Sequence, residues 1–347
     1  MPRDEKNRSY HYTRREALGL AGGSLVGLLG TVLTGCSAPQ DASTPQADTQ
    51  GAEQTTDATD VASAFVSEKV PLTRNGIALN LVRTQLQDVT PDKSILLNHG
   101  VTYSSHEFDI DYEDYSLVRF LAGLGYAVWR LDIAGFGESE KVADGFMPDT
   151  AYAAEDAAAA AQLIIETDGR EAIDLLGWSW GTTVASRMAA AHPELIDRLV
   201  LYAPILRGLG AADVSEPFHH NDWDHAASDF QTLPDGTHDP KITDPVLIEC
   251  YCSSCWHHDG EESPNGGRRD LMVDASTQII DLPAIEAPTL VICGDADPYL
   301  DFDAVNGSLD LLPEGSVLEV IPGGSHIVMY EKPYYHDFQE RLAAFLG

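Results

Sequence analysis

The chain is short of positive charge. Its 347 residues hold 21 Lys and Arg against 55 Asp and Glu, a formal net charge of −34. Only six of the 21 are lysine. A field of that sign repels nucleic acid and anionic surfaces, so no nucleic-acid partner is expected. Cysteine is scarce too, with five in all. Cys252-x-x-Cys255 has no second Cys-x-x-Cys pair beside it, so the usual spacing of a closed four-ligand zinc site is incomplete. No internal repeat is visible. The one apolar run of near-membrane length lies at Ala17 to Leu33, close to the roughly 20 residues a spanning helix needs.

What is present suits a large globular unit. Hydrophobic residues make up 44% of the chain, enough for a full core. The acids are spread along the sequence rather than gathered in a tail, which fits a solvated surface. Asn75-Gly76 between two alternating runs is a hairpin signal. Strands are expected at 94–98, 126–131, 172–176, 198–202, 287–294 and 316–321. Helical runs lie at 152–166 and 182–191. Strands alternating with helices predict an α/β fold, a mostly parallel doubly wound sheet.

The five residues Gly177-Trp178-Ser179-Trp180-Gly181 sit between a buried strand and a helix. A serine on so sharp a turn is strained and exposed, and small residues are needed two before and two after it. Downstream, the strand 287–294 runs into Asp295-Ala296-Asp297-Pro298. The strand 316–321 runs into Pro322-Gly323-Gly324-Ser325-His326. Both polar endings follow strands, where open α/β sheets place their chemistry.

On these residues the chain, from about 65 to 347, resembles the α/β-hydrolase superfamily with a cap insertion. The resemblance implies a catalytic triad of Ser179, Asp297 and His326, with Asp295 a rival acid two residues away. It also implies an oxyanion hole from the backbone N–H groups of Trp180 and Val101, the latter following the His99-Gly100 pair. His99 reads as a loop-ordering residue. The segment Asp132-Ile133-Ala134-Gly135-Phe136-Gly137-Glu138-Ser139 resembles the family's structural loop after the fourth strand. No cofactor is expected.

The resemblance divides the chain into a signal at 1–35, a flexible tether at 36–64, core at 65–204, a cap at 205–286 and core again at 287–347. Thr13-Arg14-Arg15 resembles a twin-arginine export motif, and Leu33-Thr34-Gly35-Cys36 a lipobox. Together they imply lipidation at Cys36 and an extracytoplasmic protein anchored to the outer face of the cell membrane. The acid-rich, lysine-poor balance resembles proteins of extreme halophiles.

The cap carries Cys250, Cys252, Cys255, His257 and His258 within one short stretch. A metal site, a disulfide and unpaired thiols all remain open there. Arg268 and Arg269 are candidates to face the pocket, with pairing to surface acids the simpler role. The expected partner is a small-molecule ester or amide; the oligomeric state is not legible. Three functions follow. The first is a serine hydrolase of carboxylic esters. The second is an aminopeptidase similar to proline iminopeptidases, which would need cap carboxylates such as Glu216, Asp222, Asp224 or Glu249. The third is a non-catalytic binding protein on the same scaffold.

Overall fold

The computed structural model describes residues 64–347. The signal, most of the tether and Cys36 lie outside the described residues. No helix among the described residues is long and apolar enough to cross a membrane.

The chain opens with β1 (Phe65–Arg74) and β2 (Ile77–Leu86), paired antiparallel in register from Phe65 against Leu86 to Arg74 against Ile77. Asn75 and Gly76 between them both take positive φ, 52° and 83°. That is the turn the Asn-Gly pair predicts, because its twist matches that of the strands. There follow β3 (Lys93–Asn98), α1 (Leu117–Gly123), β4 (Tyr126–Asp132), α2 (Thr150–Asp168) and β5 (Ile173–Trp178). Then come α3 (Trp180–Ala191) and β6 (Ile196–Tyr202). The cap holds β7 (Phe218–His220), α4 (Trp223–Ala227), α5 (Pro245–Asp259), β8 (Glu262–Pro264) and α6 (Gly266–Leu271). The core resumes with β9 (Thr289–Gly294), α7 (Phe302–Asn306), β10 (Val317–Ile321) and α8 (Tyr335–Leu346).

One eight-stranded sheet runs β1-β2-β4-β3-β5-β6-β9-β10. The two pairings of β2, to β1 and to β4, are antiparallel, and every later pairing is parallel. The α/β expectation therefore holds. The central strands β4 and β5 are buried along their whole length, as strands covered on both faces must be. One face packs against α2 and α3, where Ala153, Ala157, Ala160 and Ala161 are all fully buried. Alanine at those positions brings the helix close to the sheet. Asp149 caps the helix start by accepting from Tyr152 N–H at 2.8 Å, and Gly169 ends it at φ 65°. The other face packs against α1 and α8 through Leu121, Phe338 and Leu342.

The chain passes from β3 to β4 on one side and then crosses to β5 on the other. β3 and β5 are neighbours, with Asn98 opposite Gly177. Order reverses there, and a crevice opens at the carboxyl ends of these strands. The cap leaves the sheet after β6 and returns at β9. Four sequence expectations start two residues away from where they were placed: the helices expected from 152 and 182 begin at Thr150 and Trp180, and the strands expected from 198 and 287 begin at Ile196 and Thr289.

Candidate active site

Ser179 occupies the turn between β5 and α3 at φ 56°, ψ −121°. A non-glycine residue held there stores about 1–3 kcal/mol, so the surroundings must enforce it. They do so through backbone packing. A Cβ on Gly177 would lie 2.1 Å from the Gly181 carbonyl oxygen, and one on Gly181 would lie 2.2 Å from that of Asn98. Ser179 N–H donates to the Tyr202 carbonyl at 3.1 Å, tying the turn to β6. Thr182 Oγ1 donates to the Ser179 carbonyl at 2.5 Å. Two glycines and two hydrogen bonds thus fix a half-buried serine above the sheet edge.

His326 and Asp297 are brought together. His326 Nδ1 lies 2.6 Å from Asp297 Oδ2, with both residues buried. The second Asp297 oxygen accepts from Tyr299 N–H at 2.9 Å. The His326 carbonyl accepts from both Trp178 Nε1 and Tyr202 OH, each at 3.0 Å. Trp178 directly precedes Ser179, so the histidine loop is anchored to the strand that carries the serine. The Tyr299 ring meets the imidazole edge-on at 4.8 Å. Burial disfavours the imidazolium, but the Asp297 charge and hydrogen bond outweigh it and raise the His326 pKa above 6.5. Asp295 has another job: it is exposed, and its Oδ1 accepts from Gly323 N–H at 2.6 Å, closing the turn that leads to His326.

Trp180 is the first residue of α3, where helical N–H groups have no partner within the helix. Val101 lies in the loop after β3, and its N–H has no hydrogen-bond partner among the described residues. Gly100 is close to the serine: a Cβ built on it would lie 3.8 Å from Ser179 Cβ. The loop is fixed on both sides. Gly100 N–H donates to Glu107 Oε1 at 2.6 Å. His99 Nε2 accepts from Ile133 N–H at 3.2 Å, so its Nδ1 carries the proton and donates to the Gly100 carbonyl at 2.8 Å. Burial lowers the His99 pKa. Both ring nitrogens are committed, which suits a loop-ordering residue rather than a base.

A cavity of about 210 Å³ borders His326, Tyr299, Ser325, Asp229, Phe230 and Gln231. Asp229 comes from the cap. Burial raises its pKa, and its charge helps to raise that of His326. The sequence reading missed this residue: it named four other cap acids, and none of those lines the cavity. Asp222 is instead the N-cap of α4, and Glu216, Asp224 and Glu249 are exposed.

Arg268 also departs from expectation. It has no carboxylate within 4.0 Å among the described residues, so it is not an acid-paired surface side chain. Its Nη2 donates to Thr102 Oγ1 at 3.0 Å, next to Val101, and its Nε to Asn265 Oδ1 at 3.1 Å. Burial lowers its pKa, while Tyr299, Tyr103 and Asp229 act to raise it. Arg269 is the exposed one, lying over the Phe146 ring at 4.5 Å.

The cap cysteines do not gather as ligands. Cys250, Cys252 and Cys255 lie in the apolar cluster between α5 and the sheet, and Cys252 and Cys255 are free thiols. His257 is exposed. Of the five residues singled out, only His258 lies in a group of possible metal ligands among the described residues.

A strained serine turn, a buried Asp–His pair and two free backbone donors at the carboxyl ends of a mostly parallel sheet define an α/β-hydrolase fold. The family model described as alpha/beta hydrolase fold matches residues 93–245. The chain is 27% identical over 263 residues to a Synechocystis sp. protein named "Putative non-heme chloroperoxidase", covering 70% of this chain and 87% of that one. Naproxen esterase from Bacillus subtilis superposes with TM-score 0.54 at 18% identity, over 83% of this chain and 95% of that structure. A monoacylglycerol lipase from Paleococcus ferrophilus superposes with TM-score 0.53 at 20% identity, over 78% and 98%. The protein has the α/β-hydrolase fold.

Proposed function

We propose that this protein is a serine hydrolase that cleaves a carboxylic ester through an acyl-enzyme. The observation that carries the reading is the 2.6 Å Asp297–His326 contact on a loop hydrogen-bonded to Trp178, the residue before Ser179. In the proposed reaction Ser179 Oγ attacks the ester carbonyl carbon while its proton passes to His326 Nε2. The carbonyl oxygen becomes an oxyanion facing the N–H groups of Val101 and Trp180. Asp297 holds the Nδ1–H tautomer and stabilises the imidazolium. The tetrahedral species collapses, the ester C–O bond breaks, and the departing alkoxide takes the proton from His326. Water then adds to the acyl-enzyme by the same route in reverse roles, releasing the acid and restoring Ser179. The esterase and lipase names of two structural neighbours are in keeping with this reading.

One observation favours a second reading. Asp229 is a cap carboxylate lining the cavity beside His326, as an aminopeptidase needs to hold a substrate ammonium. Arg268 opposes it: its positive charge already acts on the same carboxylate from beyond ion-pair distance, and a cation there repels an ammonium.

Turnover of a panel of acyl esters and aminoacyl amides by wild type and Ser179→Ala tests the proposal. Ester hydrolysis that vanishes in the variant is expected. Amide turnover in excess of ester turnover would favour the aminopeptidase. Ester turnover that survives Ser179→Ala would end both readings. A peroxide-plus-chloride assay extends the panel to the activity named for the Synechocystis relative. Export through Arg14-Arg15 and anchoring at Cys36 stand as proposals beside this one. A mature N-terminus elsewhere than residue 36 would remove the anchor.

A further inference from the structure

Two loops of the core and the last turn of the main cap helix meet away from the cavity. His106 lies in the loop after β3, Glu138 in the loop after β4, and His258 one residue before the end of α5. One possible ligand atom from each lies within 4.8 Å of the others. The His106 and His258 rings are stacked at 3.2 Å with an interplanar angle of 1°. His106 Nε2 is buried without a hydrogen-bond partner and lies 3.9 Å from Glu138 Oε2. A buried ring nitrogen left unpaired is destabilising unless something occupies its lone pair or accepts its proton.

The surroundings hold the backbone of these segments in place. Asp259, next to His258, accepts from Ser104 N–H and from Gly137 N–H. Those two residues lie just before His106 and Glu138 in their loops. Asp132 accepts from Ser105 N–H and Ser105 Oγ on one oxygen and from Glu138 N–H on the other. Two buried carboxylates therefore clamp both core loops, and one of them belongs to the cap. The local charge also suits a cation. Asp132, Asp109 and Glu138 face His106, with Arg130 the opposing charge.

We propose that His106, Glu138 and His258 bind one divalent cation of the zinc class, pinning the cap helix to the core loops. Two imidazoles with a carboxylate favour zinc and its first-row neighbours over magnesium or calcium, which prefer all-oxygen sites. Three protein ligands leave one position for water. The rival for Glu138 is Lys69, whose Nζ lies 2.5 Å from Oε2. That ion pair is solvent-exposed, and such pairs contribute little. Glu138 Oε1 also remains for the metal. Binding one ion would require the exposed Glu138 and the half-buried His258 to rotate, parting the stacked rings so that both in-plane lone pairs converge. The thiols of Cys252 and Cys255 take no part.

The test uses the full chain, stripped with a chelator and titrated with Zn2+ alone against a competing chelator, alongside thermal unfolding. One saturable equivalent is expected, with a higher unfolding midpoint on binding. His258→Ala and Glu138→Gln should each weaken binding by more than the roughly 10–100-fold that loss of a mere outer-shell partner costs. Lys69→Met should strengthen it by freeing Glu138. Cys252→Ser and Cys255→Ser should bind as wild type, and Mg2+ should not compete. The proposal is overturned if wild type takes up no saturable zinc. It is equally overturned if both ligand variants bind as wild type, or if either cysteine variant loses the metal. Because Ser179 is not involved, failure here leaves the hydrolase reading intact.

Discussion

Asp297→Asn should separate the triad acid from its neighbour by a route visible in the hydrogen bonds. In the wild type, Asp297 Oδ1 accepts from Tyr299 N–H at 2.9 Å and Oδ2 faces His326 Nδ1 at 2.6 Å. Asparagine keeps the shape but has only one acceptor oxygen. The fixed Tyr299 N–H claims that oxygen, so the new NH₂ turns to His326. A donor facing Nδ1 forces the proton onto Nε2, and the imidazole can no longer take the Ser179 proton. The comparable wrong-tautomer substitution in a serine protease lowers kcat by about 10⁴. At 1.36 kcal/mol per tenfold this is about 5.4 kcal/mol of barrier. Asp295→Asn should behave differently: Asp295 accepts a single N–H from Gly323 at 2.6 Å, which an amide oxygen can still accept. Steady-state ester hydrolysis by the two variants, with thermal unfolding to confirm that both fold, measures the difference. Equal losses, or a larger loss in Asp295→Asn, would refute the reasoning.

The His326 pKa is raised above 6.5, and the base works only when neutral. Hence kcat/KM should climb through an acid limb centred above pH 6.5. That limb should move to lower pH in Asp297→Asn, where burial is opposed only by the Asp229 charge, and a wild-type limb at or below 6.5 contradicts the assignment. Gly181→Ala puts a Cβ 2.2 Å from the Asn98 carbonyl and 2.7 Å from that of His99. It should destabilise the fold by at least the ~1–3 kcal/mol of ordinary overpacking, whereas Gly123→Ala, with nothing within 4 Å, should not; equal unfolding midpoints would refute this. Burial pushes the Cys252 and Cys293 thiols up to about 12. Neither should react with iodoacetamide at pH 8 in the native protein, and both should react once it is denatured; rapid native labelling would show that the burial is wrong.

Much of the core was legible because its signals are local. The Asn75-Gly76 turn, the strand periods and the glycines around Ser179 each encode their own geometry within a few residues. The Asp297 and His326 positions were legible because each follows a strand that can be found on its own. The choice between Asp297 and Asp295 rests on the loop's path, which puts one carboxylate on His326 and the other on Gly323 N–H. What could not be read depends on how the cap docks. Asp229 and Arg268 look like ordinary members of a polar stretch until α5 and α6 fold over the sheet. The dense Cys and His run offered five candidate ligands without showing which way each faces; the helix turns Cys252 and Cys255 inward to the apolar face. His258 alone turns toward His106 and Glu138, which are remote in sequence.

The central claim is that Ser179 is an activated nucleophile. It is tested most directly by treating the full chain with a fluorophosphonate and mapping the adduct by peptide mass spectrometry. One phosphonyl group per chain on Ser179 is expected, with labelling lost in Ser179→Ala and strongly slowed in Asp297→Asn. A folded wild-type protein that remains unlabelled, or an adduct on another residue that persists in Ser179→Ala, would contradict the account.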